Sequence, residues 1–243
     1  MDEIEGAMDE IEGTEALTRR GSLVRLGGLF AAVLGAGGLA KAADSDAAGE
    51  GPAGVASGAV ACVLTPEQTE GPYYIDGEKL RRNITEGRPG TPLTLRLKVV
   101  NASSCKAIRG AVVDIWHADA AGAYSGFGAG ASSRTFMRGM QRTNAQGLAI
   151  FKTVYPGWYS GRTVHIHVKV HLGGDVVHTG QLYFADAVTD AVYRRAPYAS
   201  RPGRTTRNSA DAIFRNGGSK SLLSLRKDSS AYVASISMGV VRR

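Results

Sequence analysis

Hydrophobic and polar positions alternate with period two through most of the second half of the chain. Residues 93–101 set Leu93, Leu95, Leu97 and Val99 against Thr94, Arg96 and Lys98, the pattern of a half-buried strand. The same reading predicts strands over 111–117, 135–142, 148–155, 163–172, 176–185 and 231–240, with some helical character over 186–195. Turn signals separate them: Arg109-Gly110, Asn144-Ala145-Gln146-Gly147 and Gly173-Gly174-Asp175. Many short strands with intervening turns predict an all-β sandwich, and the fold alone implies no function.

The first 60 residues follow a different pattern. Residues 1–6 and 8–13 repeat the string MDEIEG, so Met8 is an alternative start. Arg19 and Arg20 precede a 14-residue apolar stretch, Leu26 to Leu39, that contains five Gly, and then the small-x-small string Ala40-Lys41-Ala42. A basic region, a short apolar core and a cleavage site describe a signal peptide over 1–42. The paired Arg resembles a twin-arginine signal, the route for proteins exported already folded, to the periplasm or beyond. The apolar stretch is shorter than the ~18 residues that span a bilayer, so no stable membrane insertion is expected after processing. Residues 43–60 are rich in Ala and Gly and read as a flexible linker. That leaves 61–243 as the folded body, which holds all nine Tyr and both Trp.

Charge and cysteine content narrow the classes. The 243 residues carry a formal charge of +7; residues 1–42 contribute −3, leaving +10 on the remainder. A basic body suits an anionic surface or an acidic substrate. No Lys/Arg cluster is interleaved with aromatics, so nucleic acid is not an expected partner. Arg134, Arg138 and Arg142 read as a solvated face, and residues 194–207 as a basic surface loop. Two Cys exclude a disulfide scaffold and a Cys-rich zinc module, yet an exported chain permits one bridge, Cys62 to Cys105.

The chemistry gathers on residues 163–172, T-V-H-I-H-V-K-V-H-L. Alternation places Val164, Ile166, Val168, Val170 and Leu172 on one face and His165, His167, Lys169 and His171 on the other. Two His at i and i+2 of a strand project side by side and suit adjacent positions on a metal. His171 lies roughly 13 Å beyond His167, too far for the same ion. His178 reads as exposed on the next strand, and His117 as a core or supporting histidine. No Cys is near the pair and acidic residues are sparse, but Tyr159 stands just upstream in the turn Pro156-Gly157-Trp158-Tyr159. A phenol has a pKa near ~10, so only a strongly Lewis-acidic ion holds tyrosinate at neutral pH. A His/Tyr set therefore suggests Fe(III) over Zn(II).

These residues bring a family into view. Residues 156–167, with Pro-Gly-x-Tyr followed by Arg162-x-x-His165-Ile166-His167, resemble the iron-binding core of intradiol ring-cleavage dioxygenases. Residues 116–124, Trp-x-Ala-Asp-x-x-Gly-x-Tyr, are similar to that family's first tyrosine segment. Gly180-Gln181-Leu182-Tyr183-Phe184 and Glu70-Gly71-Pro72-Tyr73 resemble two further segments, in the family's order. The resemblance implies a prealbumin-like β-sandwich with long active-site loops. It implies one Fe(III) held by Tyr124, Tyr159, His165 and His167, with a solvent hydroxide in the fifth position. The implied reaction inserts both atoms of O2 into a catechol-type diol and gives a muconate-type diacid. Tyr159 would leave the metal as a base, Arg162 would stabilise charge on the ring, and Gln181 would fix the Arg162 geometry. Tyr73, Tyr74 and Trp158 are expected at the substrate pocket.

Two other readings share these residues. The strand, turn and Pro-Gly-x-Tyr features also resemble non-catalytic prealbumin-like modules, which would make the body an exported binding domain. A zinc hydrolase would use the same His pair, but needs a carboxylate or a third His beside it.

Overall fold

The structure is a computed structural model that describes residues 64–128 and 130–241. The signal peptide expected over 1–42, the linker over 43–60 and Cys62 lie outside the described residues. Among the described residues, eight strands form two four-stranded sheets. They are β1 (Pro92–Asn101), β2 (Val112–Trp116), β3 (Arg138–Arg142), β4 (Leu148–Val154), β5 (His165–Leu172), β6 (Asp175–Tyr183), β7 (Ser224–Asp228) and β8 (Ala231–Val240). One sheet has the order β4-β1-β8-β7 and the other β3-β2-β5-β6. Every neighbouring pair is antiparallel except β1 and β8, which run parallel from Leu93 beside Tyr232 to Asn101 beside Val240. The helix α1 (Asp186–Tyr193) follows β6, and a single helical turn, Ala212–Arg215, lies further on.

The alternation in the sequence builds the core directly. Leu93, Leu95, Leu97 and Val99 of β1, Phe151 of β4, and Ala234, Ile236 and Met238 of β8 face Val113 and Ile115 of β2 and Ile166, Val168 and Val170 of β5. All are buried, and burying each large side chain contributes roughly 1.5–3 kcal/mol. The two inner faces thus form the sandwich core.

The second face of the β3-β2-β5-β6 sheet departs from the usual arrangement, in which one face meets water. Residues 64–90 cross it as an irregular strap. Gln68 N–H donates to Thr179 O at 2.9 Å and Arg81 N–H to Met140 O at 2.9 Å, while Ile84 N–H donates to Lys152 O at 3.0 Å. Beneath the strap, Asp114, Trp116, His165, His167 and Lys169 are all buried. Two expectations from alternation are corrected, the first because His178 pairs with core-facing Val170 and the second by this cover. His178 is buried, at 2% exposure, rather than exposed. Arg138 is 1% exposed: its guanidinium donates to Ser125 O and Oγ and stands 3.7 Å from Glu78. His117 is buried as expected, its ring held between Ala118 O and Thr153 Oγ1 at 2.8 Å each.

Cys105 is disulfide-bonded.

Candidate metal centre

Two loops and one strand end converge under the strap. β2 ends at Trp116, and its chain continues through Ala118 and Asp119 to Tyr124. The Asp119 carboxylate shapes this loop: Oδ1 accepts from Ala121 N–H at 2.9 Å and Ala123 N–H at 3.0 Å, and Oδ2 pairs with Arg88. β4 ends at Val154, and the Pro156-Gly157-Trp158 turn then carries Tyr159 alongside. Gly157 N–H donates to Asp119 O at 2.9 Å. A Cβ at Gly157 would lie 2.4 Å from Ala120 O, so the loops meet this closely only with glycine there. β5 begins at His165, and its alternation carries His165 and His167 to the same side.

The histidine geometry follows from hydrogen bonding. His165 Nδ1 lies 2.6 Å from Thr163 O, an atom that can only accept, so Nδ1 carries the proton and Nε2 is bare. His167 stacks flat on Trp116, with centroids 4.9 Å apart and planes at 6°. The two Nε2 atoms stand 3.0 Å apart, and Tyr159 Oη reaches His165 Nε2 at 3.1 Å. The Tyr124 ring lies edge-on to Tyr159 at 5.6 Å and to His167 at 6.2 Å. Its hydroxyl is buried without a hydrogen-bond partner, as is His167 Nδ1.

Electrostatics prepare this cluster for a cation. Burial, with Arg162 nearby, pushes the His165 imidazole down to about 3. Burial and then His165 hold His167 well below the usual imidazole range. Both rings are therefore neutral and able to donate lone pairs. Burial raises the phenols of Tyr159 and Tyr124, the latter also through Tyr159 beside it. Two convergent imidazole nitrogens and two desolvated phenols form a set that a hard, highly charged cation would satisfy, and the donors fit Fe(III). Among the described residues no group of three or more His, Cys, Asp and Glu side chains is placed to hold a metal. The carboxylate or third His that a zinc hydrolase needs is therefore not found among them.

Arg162 approaches the cluster from the side, tied at two points. Its Nε donates to Asp211 Oδ2 at 2.8 Å and its Nη2 to Gln181 Oε1. Gln181 Nε2 donates to Thr69 O at 2.9 Å, and Tyr183 Oη donates to Gln68 Oε1 at 2.9 Å and Gln181 Oε1 at 3.1 Å. Asp211 also accepts from Thr163 N–H at 2.8 Å and caps the Ala212–Arg215 turn through Ile213 and Phe214. The sequence reading found Arg162 and Gln181 but not Asp211, which lies 49 residues beyond Arg162 in a segment without a motif. Its one local signal is Asp followed by Ala-Ile-Phe, a helix N-cap pattern.

The three expected pocket residues separate. Tyr73 stacks on Tyr124 with centroids 4.3 Å apart and lies 6.2 Å from the Tyr159 ring. Tyr74 packs 4.8 Å from Trp116, and Lys169 Nζ stands 3.6 Å over its ring. Trp158 turns away instead: its indole N–H donates to Arg201 O at 3.0 Å, and the Arg201 guanidinium lies 4.5 Å over its ring.

The chain is similar to known proteins in sequence and in fold. The sequence pattern of a family described as Dioxygenase matches residues 69–200. Catechol 1,2-dioxygenase 1 of Acinetobacter lwoffii is 34% identical over 101 residues, 39% of this chain. The match spans about a third (32%) of that relative's own length. Among solved structures, an intradiol ring-cleavage dioxygenase from Tetranychus urticae superimposes with a TM-score of 0.70 at 36% identity, covering 74% of this chain and 95% of that one. The dioxygenase domain of a dioxygenase–carbohydrate-binding fusion from Streptomyces sp. SirexAA-E gives 0.58 at 33% identity, covering 74% of this chain and all of that one.

Proposed function

The chain belongs to the intradiol ring-cleavage dioxygenase family, and from that premise we propose that it is a non-haem Fe(III) enzyme acting on a catechol-type diol. The reaction inserts both atoms of O2 and opens the ring between the two hydroxylated carbons, giving a muconate-type diacid. One observation carries the reading: two imidazole Nε2 atoms 3.0 Å apart, one of them 3.1 Å from a phenol oxygen, in a buried pocket with a second phenol.

Tyr124, Tyr159, His165 and His167 would hold the iron. The chemistry that Fe(III) would supply there is Lewis acidity, which would favour ionised phenols and activate an electron-rich aromatic diol toward O2. The remaining roles belong to the chain. Tyr159 Oη, once ionised, would accept a proton from a substrate hydroxyl. Arg162 supplies a positive charge that cannot be lost, aimed by Asp211 and Gln181 at the place where negative charge develops. Tyr73 and Trp116, with the strap above them, give the ring an apolar surface and exclude water.

The twin-arginine-type leader supports export to the periplasm or beyond, through machinery that accepts a folded chain already loaded with metal. A Cys62–Cys105 bridge accords with that oxidising destination.

The test is the visible spectrum of the iron-loaded protein, recorded before and after catechol is added without oxygen. A tyrosinate-to-iron absorption band that shifts with catechol is the expected result. A protein that stays colourless after Fe(III) is supplied overturns the reading and leaves a sandwich that binds without catalysis.

A further inference from the structure

Residues 193–201, from the last residue of α1 into the basic loop, lie along the turn that carries Tyr159 and take hold of its backbone. Tyr198 Oη donates to Tyr155 O at 2.6 Å, Tyr193 Oη to Pro156 O at 2.9 Å, and Arg201 Nη1 to Trp158 O at 3.1 Å. Trp158 answers through its indole N–H to Arg201 O, and its ring lies under the Arg201 guanidinium. The same Nη1 also donates to Ala121 O in the other tyrosine loop. Ala121 stands three residues before Tyr124, and Trp158 immediately before Tyr159. One guanidinium nitrogen thus joins the two loops that carry the phenols.

The neighbouring glycine fits this joint. Gly122 has φ +80°, and a Cβ there would lie 2.2 Å from Trp158 O and 2.5 Å from Arg201 Nη1. Backbone and guanidinium approach too closely for any side chain at that position. The Arg201 donors go to backbone carbonyls rather than to a carboxylate among the described residues. A guanidinium suits the place better than an ammonium because its plane stacks on the indole while its edge donates.

We propose that Arg201 is a positioning residue for the metal centre. It fixes the separation of the Tyr124 and Tyr159 loops, and so the placement of both phenols against His165 and His167, without itself reaching the site. This rests on the reading of Tyr124 and Tyr159 as iron ligands. Residues that orient ligands from outside typically affect metal affinity 10–100-fold when lost.

The experiment compares the full wild-type chain with Arg201→Ala, Arg201→Lys, Gly122→Ala and the exposed control Arg194→Ala. Three quantities are read: retention of Fe(III) by the iron-loaded protein against a competing chelator, the energy of the tyrosinate-to-iron band, and Tm. Arg201→Ala is expected to retain Fe(III) about tenfold less well and to shift the band. Arg201→Lys should recover part of both effects, and Arg194→Ala should match wild type. Gly122→Ala attacks the same joint from the other side and should reproduce the shift, so it carries the test if Arg201→Ala does not fold. An Arg201→Ala protein that loses Tm but keeps the wild-type band and iron retention overturns the proposal, because the contact is then only structural. If wild type itself binds Fe(III) without a tyrosinate band, the ligand reading fails and this inference falls with it. A wild-type band that Arg201→Ala leaves unmoved sinks the inference alone.

Discussion

Arg162 owes its direction to Asp211 and Gln181, and its value to a charge that does not titrate away. Arg162→Leu removes that charge but touches none of the four proposed ligands. Iron content should hold while turnover falls roughly 10²–10³-fold, the usual loss when one preorganised charge is deleted. Loss of iron in parallel with activity would assign Arg162 to building the centre instead. Asp114 is a different case: both its carboxylate oxygens are buried, with the Tyr74 hydroxyl nearby. Burial first, and then the negative charge of Glu78, push it up to about 7, against the opposing pull of Tyr74, Lys169 and Arg138. The folded state therefore keeps a proton that the unfolded chain releases near ~4, and stability declines as pH rises between those values. Asp114→Asn should be more stable than wild type at pH 8, by about 4 kcal/mol at most, with the difference vanishing near pH 4. Thermal unfolding across pH measures it; a constant gap would remove Asp114 as its source. At this scale the sequence displayed His165, His167, Tyr159 and Arg162 because they sit within nine positions of one another. Asp211 and Arg201 were not legible, since chain reversals that no local spacing encodes bring Asp211 to Arg162 and Arg201 to the two tyrosine loops.

Strands were legible where one face enters the core. β1 and β8 alternate cleanly, and their predicted limits agree with the structure to within a residue. β7 was missed because Ser224–Asp228 lies at a sheet edge, mostly exposed, and leaves no apolar stripe. β5 shows the opposite failure. Its polar face is covered by the strap, an element more than 70 residues away in sequence that period two alone cannot reveal. The strap also has its own fit to β5. Gly71 has φ +72°, and a Cβ there would stand 3.2 Å from His167 Cε1. Gly71→Ala should cost about 1–2 kcal/mol for the left-handed backbone alone. It should also press on the His167 ring, loosening Fe(III). Chelator competition with a parallel melting curve separates the two effects; normal iron retention would show that the strap yields and the ring does not.

For the molecule as a whole, pH sensitivity is set by what the sandwich encloses. Burial pushes His178 down to about 4, and does the same to His117 against weaker opposing contacts. Each binds a proton in the unfolded chain near ~6.5 but not in the folded one, so each contributes stability above that pH which is lost as pH falls toward 4. Asp114 works the other way over the same range. Two protons against one leave a net loss from these groups of about 1.4 kcal/mol per pH unit on acidification. Asp114→Asn should steepen the measured loss by about 1.4 kcal/mol per pH unit over that range, and equal slopes for the two proteins would refute its part in the balance. The parallel pairing of β1 with β8 has a consequence for synthesis. A chain emerging from the ribosome presents Leu93, Leu95, Leu97 and Val99 early, but the strand that flanks them on one side is made some 130 residues later. Until Ala231–Val240 has appeared, that sheet has an open apolar seam in its middle rather than at its margin. A nascent chain stalled before that point would be a client for chaperones, and folding is a single late event instead of a stepwise one.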